Sequence, residues 1–157
     1  MLFTIFLLFN SMVERKREIM ARPIKQGIDN WLIDVDFLRD VKVKKVRIAC
    51  GPCSPIVIIA LINHIHKDYG YFLRWDDEIH YLIADEVGVS GDEVEEVVSK
   101  ATQVHFFDPD IYAKYKILTS ADIQKRFLKA VERRLRVEVI KEYWLLEGPQ
   151  LLNICLF

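Results

Sequence analysis

The chain has 157 residues, 52% of them hydrophobic, with 22 Lys and Arg against 23 Asp and Glu. That length suits one domain with a core of its own, and the near-neutral balance selects no charged partner by itself. Cys50, Cys53 and Cys155 are too few and too unevenly spaced for a disulfide framework, so a reducing cytoplasm is the expected location.

The chain opens MLFTIFLLFNSMVERKREIM. Its apolar block, Met1 to Phe9, falls far short of the ~20 residues a spanning helix needs. The charges Arg15, Lys16 and Arg17 follow the block rather than precede it, which is wrong for a signal peptide. A signal anchor is the weaker reading. Residues 1–19 are expected to be an upstream extension, disordered or not native, with Met20 as the native start and no membrane partner.

Ile24 to Phe37 reads as an extended arm, with Trp31, Ile33, Val35 and Phe37 alternating against Asp34 and Asp36. Residues 39–50 fit strand and helix periods equally, because Val-Lys-Val suits both. Gly51-Pro52 breaks whichever forms. Ser54-Pro55 then starts a helix to Tyr69, a hydroxyl cap followed by proline at the first position, and Gly70 stops it. Its apolar residues go nearly all round, which marks a central buried helix.

Tyr71 to Trp75 predicts a short strand. Asp76 caps a helix through Val87 with Ile79, Leu82, Ile83 and Val87 on one face, and Gly88 ends it. Ser90-Gly91-Asp92-Glu93 is a capping-box pattern opening a helix to about Gln103. Two short helices joined through Val87-Gly88-Val89-Ser90 form a helix-turn-helix signature. Val104 to Phe107 and Ile117-Leu118, flanking a loop with Asp108-Pro109-Asp110, are expected to pair as a hairpin wing. A last helix is expected from Ser120 past Arg136.

Charge separates along the chain. Between Asp76 and Asp110 there are eleven acidic residues against Lys100; between Lys114 and Lys141 there are nine basic residues against three acidic. On the last helix Lys125, Lys129, Arg133 and Arg136 share one face, with Arg126 beside them and Arg134 on the same stretch. Ile123, Phe127, Ala130 and Val131 take the opposite side. Such a basic amphipathic helix can follow phosphates while its apolar side docks on the domain. The plainer alternative is a solvated charged face. The helix that would enter a major groove, Ser90 to Gln103, instead carries Asp92, Glu93, Glu95 and Glu96. These repel phosphate, and no guanine-reading side chain stands beside them. DNA contact is therefore expected from the last helix and an Arg22/Lys25 arm, or else the acidic helices are a protein-docking surface.

Cys50-Gly51-Pro52-Cys53 matches the thioredoxin redox tetrapeptide and precedes a helix, where a thiol pKa is lowered. No later proline sits in the apolar strand context that a facing cis-proline needs, so two half-buried cysteines around a helix-start turn are the favoured reading. A zinc site from Cys50, Cys53, His64 and His66 is disfavoured because histidines two apart on a helix point to different faces. No phosphate loop, serine elbow or apolar-flanked carboxylate pair supports an enzyme. No metal or cofactor is expected.

The wording MARPIKQGIDNWLIDVDFLRD, the Gly-Pro turn before an apolar helix, YGYFLRWDDE, EVGVS, FFD and ILTSADIQKRFLKA resembles a bacterial and prophage domain family over roughly residues 20–140. That family is similar to the N-terminal domain of phage replisome organisers and to DnaD-like primosome proteins. The resemblance implies a mainly α fold with a small β-hairpin: a winged helix-turn-helix domain over 20–119, followed by a basic helix over 120–146. It implies a role in replication initiation or helicase loading, with DNA as partner and a helicase, a helicase loader or a sister subunit as further candidates. Residues 147–157 fit no part of the pattern. The expected function is a non-catalytic DNA-binding or replisome-assembly module, with a protein–protein adaptor as the alternative.

Overall fold

The computed structural model describes residues 25–147 and the backbone of a strand at Ile154–Leu156. The expectations for residues 1–19 lie outside the described residues. The arm, residues 25–36, forms no strand despite its alternation. Phe37 is buried and Trp31 half-buried, but Ile33 and Val35 face solvent, and no strand of the described residues pairs with the arm. A 3-10 turn, Phe37–Arg39, leads to Asp40. The Asp40 carboxylate accepts from the backbone N–H groups of Lys42 and Val43, which resolves the ambiguous run as helix α1, Val41–Cys50.

Helix α2, Ser54–Asp68, is the central buried helix expected from its composition. It sheathes Ile58, Leu61 and Ile65 completely and packs against α1 and the two helices that follow. Ser54 does not cap it; its hydroxyl instead donates to the Gly51 carbonyl at 2.8 Å. Gly70, at φ +87°, turns the chain toward strand β1, Leu73–Arg74. A Cβ there would sit 2.1 Å from the Phe127 ring, so this turn needs glycine for space as well as for conformation.

Asp76 caps α3, Asp77–Val87, and Gly88 in the left-handed conformation ends it. Helix α4, Gly91–Gln103, opens on a complete capping box: Glu93 N–H donates to Ser90 Oγ, and Ser90 N–H donates back to the Glu93 carboxylate. The helix-turn-helix therefore forms as read from the sequence. Of the apolar face of α3, Ile83 is buried while Leu82 is half-exposed beside Tyr81.

The strand partners differ from expectation. Val104 to Phe107 forms a turn instead of a strand, with His105 at φ +59°. Asp108 caps a fifth helix, α5, Pro109–Tyr115, in place of the expected loop. Strand β2, Ile117–Leu118, pairs antiparallel with β1, placing Leu73 opposite Leu118 and Arg74 opposite Ile117. The domain is mainly helical with one small antiparallel pair, but the pair joins distant segments.

Helix α6, Ala121–Val131, is capped by Ser120 and stops well short of Arg136. After a turn closed by Arg134 N–H to the Val131 carbonyl, the chain becomes strand β3, Val137–Val139. Val-Glu-Val alternates at the strand period, with both valines buried, and β3 pairs in parallel with β4, Ile154–Leu156. The expected basic helix over 120–146 is thus a shorter helix, a turn and a strand. Two apolar clusters result. One lies among α1 to α4; the other gathers Tyr71, Phe72, Phe127, Val131, Val137 and Val139 around α6 and β3. No helix of the described residues is long and apolar enough to cross a membrane.

Candidate nucleic-acid interface

With α6 ending at Val131, the expected row of Lys125, Lys129, Arg133 and Arg136 does not lie on one helix face. Lys125 and Lys129 remain one turn apart on α6, while Arg133 and Arg136 belong to the turn before β3. What gathers the charge is a clamp. The Arg134 guanidinium donates to the carbonyls of Lys25, Gln26 and Gly27 at 2.6, 3.1 and 2.7 Å, holding the arm against the end of α6. Arg126 makes a second tie, an ion pair with Asp34 of the arm. The backbone of Lys25 is thereby held against Arg134, 109 residues away in sequence and just past the end of α6.

Several of these cations are occupied within the fold. Lys25 pairs with Asp29, Lys125 with Asp122 at 3.7 Å, and Arg136 with Glu138 at 3.0 Å. Lys129 and Arg133 are exposed and have no ion-pair partner among the described residues. Arg22 lies outside the described residues. Lys67, exposed at the end of α2, stands against the arm as well, because its carbonyl would be 2.0 Å from a Cβ placed on Gly27. Sequence reasoning missed Lys67, along with the exposed Lys44, Lys45 and Arg47 of α1; the dense VKVKKVR run was the signal for those three.

The helix-turn-helix carries the opposite charge. Its carboxylates are partly structural: Glu93 completes the capping box, Glu95 accepts from the Trp75 indole at 3.1 Å, and Glu86 binds His64 at 2.8 Å. The capping bonds from Ser90 hold the Glu93 carboxyl below its ordinary range. Asp92 and Glu96 stay exposed without an ion-pair partner among the described residues. Tyr81 and Leu82 stand exposed on α3, which also carries Asp77, Glu78, Asp85 and Glu86.

Cys50 closes α1 rather than opening a helix, and Gly51 follows at φ +92°. Burial raises its thiol pKa, nearby Glu96 raises it further, and Lys100 acts weakly in the other direction. These influences oppose thiolate formation at Cys50. His64 is engaged by Glu86, and His66 Nδ1 by the Gly70 carbonyl at 2.7 Å. Among the described residues no group of three or more His, Cys, Asp or Glu side chains is placed to hold a metal ion.

The model of the Lin1244/Lin1753-like N-terminal family matches residues 31–123, more than half of the chain. The chain belongs to that family. It is 32% identical over 136 residues to an uncharacterized phage-related protein, Lin1244/Lin1753, of Listeria innocua serovar 6a. The match covers 87% of this chain and 44% of that relative, so the chain spans less than half the relative's length. No solved structure matches. The family match takes in the arm from Trp31, both helices of the helix-turn-helix and the start of α6, and stops before the basic turn.

Proposed function

We propose that this chain is a phage- or prophage-type module that binds DNA without catalysis and serves replisome assembly. The observation that carries the reading is the exposed pair Lys129 and Arg133 next to Arg134, whose guanidinium binds the backbone of the arm that bears Lys25. Lysines and arginines on one surface release condensed counterions when they meet a phosphate backbone. The relative's description as phage-related supports the biological setting, and the resemblance to replisome organisers and DnaD-like proteins supports the replication role. The acidic α4 would be repelled by phosphate, so it faces away from DNA in this reading.

A second reading rests on the other face. Tyr81, 68% exposed, and Leu82, 49% exposed, lie among carboxylates of α3, a combination suited to a basic protein partner such as a helicase, a helicase loader or a sister subunit. Titration of the protein with duplex DNA at several salt concentrations tests the two. Affinity falling log-linearly with salt supports the DNA reading. No salt-sensitive binding moves the adaptor reading to the front.

A further inference from the structure

A cavity of about 430 Å³ lies between the arm and the C-terminal half of α2. That volume is in the range of pockets that enclose a small ligand, ~300–1,000 Å³. Trp31 and Asn63 form part of its wall, and the indole N–H donates to Asn63 Oδ1 at 2.6 Å, which fixes the plane of the ring. Both hydrogens of the Asn63 amide remain without an acceptor among the described residues. Lys25 and Lys67 line the same space; Lys25 is paired with Asp29, also in the wall, so Lys67 is the less occupied cation.

His66 lines the cavity too and is 99% buried. Its Nδ1 contacts the Gly70 carbonyl, which can only accept, so Nδ1 carries the proton and Nε2 holds a bare lone pair. That Nε2 is buried with no hydrogen-bond partner among the described residues, and the His66 ring packs against Trp31 at 5.7 Å between centroids.

An aromatic plate, an amide with free N–H groups and two lysines lining one space together suit a flat base and its phosphate. A base held in a duplex cannot enter such a space. We propose that this cavity takes one unpaired nucleotide of a DNA strand, its base against Trp31 and its phosphate at Lys67 and Lys25. Stacking on an aromatic face tolerates any base, so the pocket selects unpaired strand over duplex rather than one sequence. The inference rests on the DNA-binding reading and deepens it. The arm that supplies Lys25, Asp29 and Trp31 to the pocket is the one held by Arg134.

The test uses the full chain with a labelled twelve-nucleotide oligo-dT, the matching duplex, and oligo-dT carrying 5-iododeoxyuridine. The single strand should bind more tightly than the duplex, and irradiation should attach the iodinated strand to the peptide containing Trp31. Trp31→Ala should weaken oligo-dT binding by about 5- to 150-fold, the range for one base–aromatic stack, and leave duplex binding unchanged. Should Trp31→Ala fail to fold by circular dichroism, Lys67→Gln decides with the crosslink. That exposed substitution should reduce the single-strand salt slope by about 0.7. An adduct elsewhere, an unchanged Lys67→Gln slope, or equal losses for strand and duplex overturns the pocket. So does displacement of oligo-dT by an equal concentration of thymidine monophosphate, which would assign the pocket to a free nucleotide. Salt-sensitive duplex binding with no strand preference sinks the pocket and leaves the DNA reading standing; no binding to either sinks both.

Discussion

Helices α4 and α6 share one plan and differ in charge. Each opens on a serine whose hydroxyl accepts from the backbone N–H three residues on, and each buries one apolar stripe. On its exposed side α4 presents Asp92, Glu93, Glu95 and Glu96, whereas α6 presents Lys125 and Lys129 and runs into Arg133. In the usual use of a helix-turn-helix the second helix is the reader; here that helix is the one phosphate would repel. On the proposed DNA-binding reading, the motif's geometry and its binding surface have separated. The fold supplies two amphipathic helices of opposite charge, and only the basic one is compatible with phosphate.

The helices are also anchored differently, and this gives the largest expected effect. The buried stripe of α4 is small side chains, Val94, Val97, Val98 and Ala101, while α6 relies on Phe127 against the Gly70 turn. Phe127→Ala should destabilise by about 3–5 kcal/mol in denaturant titration. Val97→Ala should cost about 2 kcal/mol, because fewer atoms leave the core. Equal losses would mean that the second cluster does not depend on that ring.

The caps sharpen the comparison at a smaller scale. Ser90→Ala and Ser120→Ala should each lower stability by about 1 kcal/mol, read as a shift of thermal midpoint. Ser90→Ala should be the worse of the two, since Glu93 loses its hydroxyl partner as well. A larger loss at Ser120 would contradict the reciprocal box.

The two regions should also titrate in different windows. Glu93 has its folded pKa lowered below 4.5, so its contribution is full above that value and is lost as pH falls through the folded value. His66 has its folded pKa lowered below 6.5, chiefly by burial, so the unfolded chain takes up protons first. Stability from the arm side should therefore be full above about pH 6.5 and decline as pH falls below it. Denaturant midpoints at stepped pH should show this decline in the wild type and lose it in His66→Gln. A midpoint that rises on acidification would reverse the assignment.

Much of the α3–α4 region is legible in the sequence because its signals are local: Asp76, Gly88 and the Ser90–Glu93 box each act within one helical turn. Asp108-Pro109 reads as a loop by its turn-forming residues, yet it repeats the cap-then-proline grammar and opens α5. The β1–β2 pairing joins segments some forty residues apart, where no local pattern points from one to the other. The end of α6 is hard to place because the basic spacing continues past Val131, while the competing signal, Val-Glu-Val, is three residues long. The Arg134 clamp has no sequence signature at all, since its acceptors are backbone carbonyls of the arm and any residue there would supply them.

The central claim is that DNA meets the α6 and arm surface and not α4. Its most direct test is the salt dependence of duplex binding for three proteins: wild type, Lys129→Gln/Arg133→Gln and Glu93→Gln/Glu96→Gln. Glutamine at 93 preserves the capping box, so all three should fold. The basic pair should flatten the slope of log affinity against log salt by about two, at roughly 0.9 for each phosphate left without its cation. The acidic pair should leave the slope as it is, with affinity unchanged or slightly raised. An unchanged slope in Lys129→Gln/Arg133→Gln, or a flattened one in Glu93→Gln/Glu96→Gln, would contradict the account.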